Sequence, residues 1–132
     1  MEPAEFARMI WDKFGSDGPF EPGAYYDPDG DCLEFFLTNE AFKGERLDKW
    51  VTVYRGRRSG KIVGSMIKNV RELLERNPGL AIQIRSKPIQ IWQFLRAPQF
   101  SATSEVAVRV YEEMIEETRV SEIHAPTEMV CA

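Results

Sequence analysis

Apolar residues recur along the chain at two spacings, one typical of helices and the other of strands. The helical spacing occurs over residues 3–14, which begin at Pro3 and end before Gly15, and again over residues 102–120. Charged residues cover the opposite face of the second stripe. The pattern therefore predicts one helix near each end of the chain. The residues predicted to face inward from the second helix are Ala107, Val110, Tyr111, Met114, Ile115 and Thr118.

Two β-hairpins are predicted between these helices. Residues 24–37 place strand-forming residues on both sides of the turn sequence DPDGD. Residues 47–67 do the same around the turn sequence GRRSG. The intervening residues 38–46 are polar apart from two positions, which predicts a connection.

Three more elements and a tail are predicted in the second half of the chain. Asn69, followed by Glu72 three residues later, predicts a short helix that opens with a capping box. Residues 80–86 alternate apolar and polar positions, which predicts a strand. Residues 89–95 follow a proline and fit either an edge strand or a short helix. Residues 121–132 show no periodicity and predict a loose tail.

Together these elements predict a single α+β domain over residues 1–132. Hairpin connections make its sheet mainly antiparallel, with four to five strands, and the N-terminal and C-terminal helices pack on one face. The chain has 132 residues, of which 43% are hydrophobic, and this suits one ordinary globular domain. No apolar run approaches the roughly 18 residues of a membrane-crossing helix, so we expect no membrane association.

Cysteine usage bears on the compartment of the protein. Cys32 and Cys131 lie far apart in the chain, and no pair of cysteines has the spacing of a metal or redox motif. Such cysteines are typical of reduced thiols in a cytosolic protein. We therefore expect a cytoplasmic location.

Charge is distributed in three blocks of alternating sign. The net charge is −8 over residues 1–42 (ten acidic and two basic residues), +9 over residues 43–96 (thirteen basic and four acidic) and −5 over residues 97–132 (seven acidic and two basic). Opposite blocks can neutralise each other within one fold or between subunits. Alternatively, the basic block of residues 43–96 is exposed and binds a nucleic acid or another polyanion.

The densest group of positive charges surrounds the predicted turn, in the sequence GRRSGK at residues 56–61. This sequence differs from a phosphate-binding loop, which needs four residues between its glycines and begins a helix. A hairpin turn can still present arginines that bind phosphate through paired N–H groups. The alternative is a charged turn that only resists aggregation. The candidate polyanion contacts are Arg55, Arg57, Arg58 and Lys61.

No group of residues matches a known catalytic or metal-binding pattern. The DPDGD sequence is not a calcium loop, because Cys32 stands where an EF-hand has glycine and Thr38 where it has glutamate. His124 is the only histidine and lies in the predicted tail, without the sequence pattern of a general base. We therefore predict no catalytic residue, no metal and no cofactor, and we leave open whether the protein is an enzyme.

Residues 25–70 carry two motifs, YDPDGDCL at residues 26–33 and GKIVGSMI at residues 60–67. They resemble a bacterial family known as domain of unknown function 2283. Its members have a Tyr-Asp-x-x-x-Asp-x-Leu opening and a later Gly-x-Val-Val-Gly strand that ends in isoleucine. The chain departs from the family at Arg57 and Arg58, where the family usually has acidic residues. The resemblance implies a β-meander core and carries no activity with it.

These observations favour a non-enzymatic interaction or regulatory module that self-associates as a homo-oligomer. The alternative is a protein that binds nucleic acid or another polyanion through the basic block. A small enzyme with a site assembled from scattered residues is a third class. An exposed basic face would favour the second class, and an apolar face buried between subunits would favour the first.

Overall fold

The computed structural model describes residues 20–86 and 89–126, in which a five-stranded sheet precedes four helices. The helix predicted over residues 3–14 and Cys131 lie outside the described residues. The prediction of an α+β fold is confirmed. The elements are β1 (Gly23–Asp27), β2 (Cys32–Phe36), β3 (Phe42–Arg46), β4 (Val51–Gly56), β5 (Ile62–Lys68), α1 (Val70–Arg76), α2 (Pro78–Ser86), α3 (Ile91–Phe100) and α4 (Glu105–Ser121).

All strand pairs are antiparallel, and the order across the sheet is β1-β2-β5-β4-β3. Both predicted hairpins are present, as β1–β2 and β4–β5. The β-meander implied by the family resemblance holds only for β3, β4 and β5, because β2 pairs with β5 and not with β3. The connection from β2 to β3 therefore crosses the end of the sheet where the β4–β5 turn lies.

The predicted connection over residues 38–46 contains an additional strand, β3, at the edge of the sheet. Its residues after Phe42 are all exposed, so it lacks the alternation that marks a strand with one buried face. Charged residues are typical of edge strands, because they discourage pairing with another chain.

The strand predicted over residues 80–86 is wrong, because these residues belong to helix α2. Pro78 stands at the first helical position, where its fixed φ is favourable. Leu80 and Ile84 are four residues apart and both contact the core, whereas Ile82 between them is 62% exposed. Leu80 and Ile84 therefore lie on the inner face of the helix, whereas Ile82 lies on its outer face.

The start of α1 differs from the predicted capping box. Asn69 adopts a left-handed conformation with φ of 56°, and its side chain makes no capping hydrogen bond. Its amide group donates instead to the carbonyl of Lys49, at 3.3 Å. The cap comes from Asp31 in the β1–β2 turn, whose carboxylate accepts the Arg71 amide N–H at 3.2 Å. A residue distant in the sequence therefore caps this helix in place of Asn69.

The segment around residues 89–95 forms a helix, which is one of the two alternatives predicted for it. In α3 the side chains of Gln90 and Gln93 form a reciprocal capping box, with the Gln90 amide N–H donating to Gln93 Oε1 at 2.9 Å.

The helices cover one face of the sheet and form the main core with it. Of the six residues predicted to face inward from α4, five are buried, and Val110 packs partly buried against the core. The sheet contributes Leu33, Phe35, Val51, Val53, Ile62 and Ile67 to this core. A smaller cluster on the opposite face contains Cys32, Phe36, Tyr54, Val63 and Met66.

The predicted loose tail is partly ordered. Ile123 and Ala125 are buried in the main core, and a backbone bridge joins His124 to Gln90. The Ala125 amide N–H also donates to the carbonyl of Ile89 at 2.8 Å. The prediction therefore does not hold for these residues, because a short pairing with the start of α3 fixes them.

Candidate functional site

The turn between β4 and β5, at residues 57–61, is an exposed basic feature of the sheet. Every residue of this turn is exposed, and Gly60 adopts a positive φ of 70° that closes it. The amide N–H of Gly56 donates to the carbonyl of Lys61 at 2.9 Å, so the turn is hydrogen-bonded across its base. We call residues 57–61 the basic turn.

The structure brings the four predicted polyanion contacts together around this turn, but it does not leave all of them equally available. The Arg55 guanidinium forms an ion pair with Glu45 at 3.2 Å and donates to the Gly60 carbonyl at 3.3 Å. Arg57 Nε donates to the carbonyl of Phe42 at 3.3 Å. Arg57, Arg58 and Lys61 are exposed.

None of Arg57, Arg58 and Lys61 forms a side-chain ion pair with a carboxylate in residues 20–86 and 89–126. Among the described residues, none of the ion pairs joins the basic turn to the acidic helix α4. An ion pair between the basic block and α4 is formed by Arg96, whose guanidinium lies 3.4 Å from Glu112. The other ion pairs of the block in the described residues lie within the block, except the pair between Arg71 and Asp31 at 4.0 Å.

Glu40 is a member of this site that the sequence did not identify. Its carboxylate accepts the amide N–H groups of Arg58 and Ser59, at 2.8 and 2.7 Å, and the Ser59 hydroxyl at 2.8 Å. These hydrogen bonds, those from Ser59 most strongly, lower the pKa of Glu40, and the positive charge of Arg58 lowers it further. Glu40 belongs to the β2–β3 connection, so only the strand order brings it to the turn.

Gly56 makes room for the Glu40 carboxylate. A Cβ atom at position 56 would overlap the carboxyl group of Glu40. The absence of a side chain therefore allows this carboxylate to lie against the backbone of the hairpin. In the sequence, Gly56 stands at the base of the predicted turn. A glycine at this place predicts the turn, but without the strand order it does not indicate that Glu40 lies against it.

Two open grooves flank the basic turn, and Arg57 lines both of them. The first is lined by Asn39, Glu40, Ala41, Arg57, Arg58 and Ser59. The second is lined by Lys43, Glu45, Arg55, Gly56, Arg57 and Gly60. The site can therefore offer arginine N–H groups to a negatively charged chain that passes over either side of the hairpin.

The DPDGD sequence forms the predicted β1–β2 turn. Asp27 accepts the amide N–H of Asp29 at 3.1 Å, as in an Asx turn. Asp31 accepts the Tyr26 hydroxyl at 2.9 Å in addition to capping α1. Within the described residues, no group of three or more His, Cys, Asp and Glu side chains could hold a metal ion.

A buried carboxyl group lies on the sheet face opposite the helices. Glu34 is fully buried, and neither of its carboxylate oxygens has a hydrogen-bond partner in the part of the chain that is described. Burial raises the pKa of Glu34 to about 8, and the charge of Asp27 also raises it. The nearby Tyr54 hydroxyl lowers the pKa of Glu34, although it forms no hydrogen bond of ordinary geometry with the carboxyl group. This carboxyl group is therefore mostly neutral at pH 7.

The cysteine and the histidine lie in unlike environments. The thiol of Cys32 is buried, and burial raises its pKa to about 12, with the charges of Glu34 and Asp27 adding to the effect. Such a thiol is protonated at neutral pH and is a poor nucleophile. His124 is exposed beside α3, and the backbone bridge to Gln90 fixes its position.

No protein-family model matches the chain, and no curated protein or solved structure shows significant similarity to it. The resemblance of residues 25–70 to domain of unknown function 2283 therefore stays a prediction. In the described part of the chain, no helix is both long and apolar enough to cross a membrane.

Proposed function

We propose that this protein is a non-enzymatic interaction module that binds a nucleic acid or a similar polyanion through the basic turn. The observation that carries the proposal is the absence, among the described residues, of any carboxylate ion pair at the side chains of Arg57, Arg58 and Lys61. Exposed arginines of this kind bind phosphate oxygens without the loss of an existing ion pair.

The position of the turn supports the same proposal. The hydrogen bond to Phe42 uses one of the five guanidinium N–H donors of Arg57, so the other donors can face a ligand. Lys43, at the neighbouring edge strand, lines the second groove, where it forms an ion pair with Glu45 at 3.8 Å. Phosphate contacts made by such residues would not depend on nucleotide sequence.

Self-association is a second candidate function, and a different observation favours it. The exposed glutamates Glu113, Glu116 and Glu117 of α4 form no ion pair with any described residue. Phe100 and Val106, near the α3–α4 connection, are 87% and 65% exposed. A second copy of the chain could place its basic turn against this acidic helix, which would form a homo-oligomer.

The proposal includes a cytoplasmic location. The single described cysteine, Cys32, is free, and reduced cysteines are typical of that compartment.

The experiment is a fluorescence-anisotropy titration of a labelled duplex oligonucleotide at low salt. We expect wild type to bind and the double variant Arg57→Ala, Arg58→Ala to bind at least about tenfold more weakly, because two phosphate contacts are lost. The matched control is Arg71→Ala, Arg76→Ala, which removes the same charge from the basic block. These two arginines pair with Asp31 and Glu72, so the control should retain most of the affinity.

Equal losses in the two double variants would contradict a site at the basic turn. Sedimentation velocity on the same proteins tests the second candidate. The opposing result is a wild-type oligomer that dissociates in the Arg57→Ala, Arg58→Ala protein, while wild type binds no oligonucleotide. This result would assign self-association, and not polyanion binding, to the turn.

A further inference from the structure

We propose that the basic turn contains a phosphate-binding cradle and that Glu40 occupies this cradle as an internal ligand when no phosphate is bound. We define the cradle as the amide N–H groups of Arg58 and Ser59 together with the Ser59 hydroxyl. This inference rests on the proposed polyanion binding, and it identifies the group recognised as a phosphate.

The three donors of the cradle converge on a single carboxylate. Their distances to the Glu40 oxygens are 2.8, 2.7 and 2.8 Å. Two successive backbone N–H groups that point at one anion form a concave site of the kind that also binds phosphate. Both amides donate to Oε1 of Glu40 and the hydroxyl donates to Oε2, so the turn is already arranged to hold two oxygens of one anion.

The surroundings of the cradle also suit a phosphate. The absence of a side chain at Gly56 leaves the space that the Glu40 carboxyl group fills and that a bound phosphate would take over. The side chains of Arg57 and Arg58 line the groove that also contains Glu40 and Ser59. A phosphate offers more acceptor oxygens than a carboxylate, so it could bind the cradle and an arginine side chain together.

Glu40 would then lower the affinity of the site for external phosphate. A ligand can bind only to the fraction of molecules in which the cradle is empty, and the apparent dissociation constant rises as that fraction falls. Glu40 lies on the short connection between β2 and β3, and this connection is held by the hydrogen bond from the Arg57 amide to the Ala41 carbonyl at 2.8 Å. Removing the charge of Glu40 should therefore expose a stronger site.

The test is an NMR titration with inorganic phosphate that follows the amide signals of Arg58 and Ser59. We expect Glu40→Gln to bind phosphate about tenfold more tightly than wild type. The neutral amide of glutamine accepts hydrogen bonds from the cradle less strongly than a carboxylate, so it competes less with phosphate. The matched control is Glu45→Gln, which removes the same charge beside the turn but outside the cradle, where Glu45 pairs with Arg55. It should change the affinity by no more than about twofold.

A third variant, Ser59→Ala, keeps Glu40 and removes one donor of the cradle. We expect the double variant Glu40→Gln, Ser59→Ala to bind phosphate more weakly than Glu40→Gln alone, because the hydroxyl donor is lost while the two amide donors remain. If Glu40→Gln does not fold, Glu40→Asp, whose shorter side chain reaches the three donors less well, should bind phosphate more tightly than wild type.

The possible results separate this inference from the proposed function. Equal gains in Glu40→Gln and Glu45→Gln would overturn the cradle and leave oligonucleotide binding intact. Phosphate shifts at residues 58 and 59 in Glu40→Gln, in a protein that binds no oligonucleotide, would support the cradle and overturn the polyanion proposal. No phosphate shift in any variant would overturn the cradle.

Discussion

The hydroxyl of Tyr111 donates a 2.6 Å hydrogen bond to the carboxylate of Asp48, and this bond joins the C-terminal helix to the start of β4. The other oxygen of Asp48 accepts the amide N–H groups of Trp50 and Val51 at 2.8 and 2.9 Å. Burial raises the pKa of Tyr111, and the hydrogen bond and charge of Asp48 raise it further. One carboxylate thus fixes both the helix and the strand.

Tyr111→Phe should lower the free energy of unfolding by about 1–3 kcal/mol, because the partly buried Asp48 oxygen loses its donor while the ring remains in the core. Urea denaturation followed by circular dichroism measures this loss. Val120→Ala on the same helix is the control, since Val120 is 74% exposed and its truncation should change stability by less than about 0.5 kcal/mol. Equal effects of the two substitutions would show that the hydrogen bond does not contribute.

The sequence predicts elements well where one face is buried and the apolar spacing repeats. Helix α4 has this property, and its inward residues, such as Met114 and Ile115, were identified from spacing alone. The two hairpins were equally clear, because turn residues separate their strands.

The elements that the sequence missed depend on contacts between distant parts of the chain. No residue of the edge strand β3 is buried, so its sequence lacks the apolar alternation of a strand. Helix α2 has Leu80, Ile82 and Ile84 at alternate positions, which is the spacing expected of a strand. Glu40 could not be assigned to the basic turn, since only the strand order β2-β5-β4-β3 brings the β2–β3 connection there. Single-sequence patterns carry no information on this order.

Asp31→Ala should destabilise the protein by about 0.5–2 kcal/mol, because the cap of α1 is lost. Glu72, predicted from the sequence to complete a capping box with Asn69, forms exposed ion pairs with Lys49 and Arg76, at 3.8 and 2.9 Å. Glu72→Ala should therefore cost less than Asp31→Ala, within about 0–1 kcal/mol. Thermal denaturation of the two variants compares them directly, and a larger loss for Glu72→Ala would contradict the tertiary cap.

Glu34 should make the protein less stable as the pH rises. The folded carboxyl keeps its proton up to about pH 8, whereas a free glutamate releases it near 4.5. The contribution of the protonated group is therefore complete below about pH 4.5 and is lost progressively up to about pH 8. The slope from this group is at most about 1.4 kcal/mol per pH unit.

Glu34→Gln removes this titration, so the variant should gain stability relative to wild type between pH 5 and pH 8. The measurement is the free energy of unfolding from urea titrations across this interval. Glu116→Gln, at an exposed position of α4, serves as the control and should follow wild type at every pH. A constant difference between wild type and Glu34→Gln would mean that Glu34 is already ionised in the folded protein.

The most direct test of polyanion binding by the basic turn is the salt dependence of duplex DNA binding. Contacts from Arg57, Arg58 and Lys61 predict that log K falls with log salt concentration, with a slope of about −0.9 for each phosphate neutralised. The slope for Arg57→Ala, Arg58→Ala should be shallower than that of wild type by roughly two units. The absence of binding by wild type at low salt, or identical slopes for the two proteins, would contradict the account.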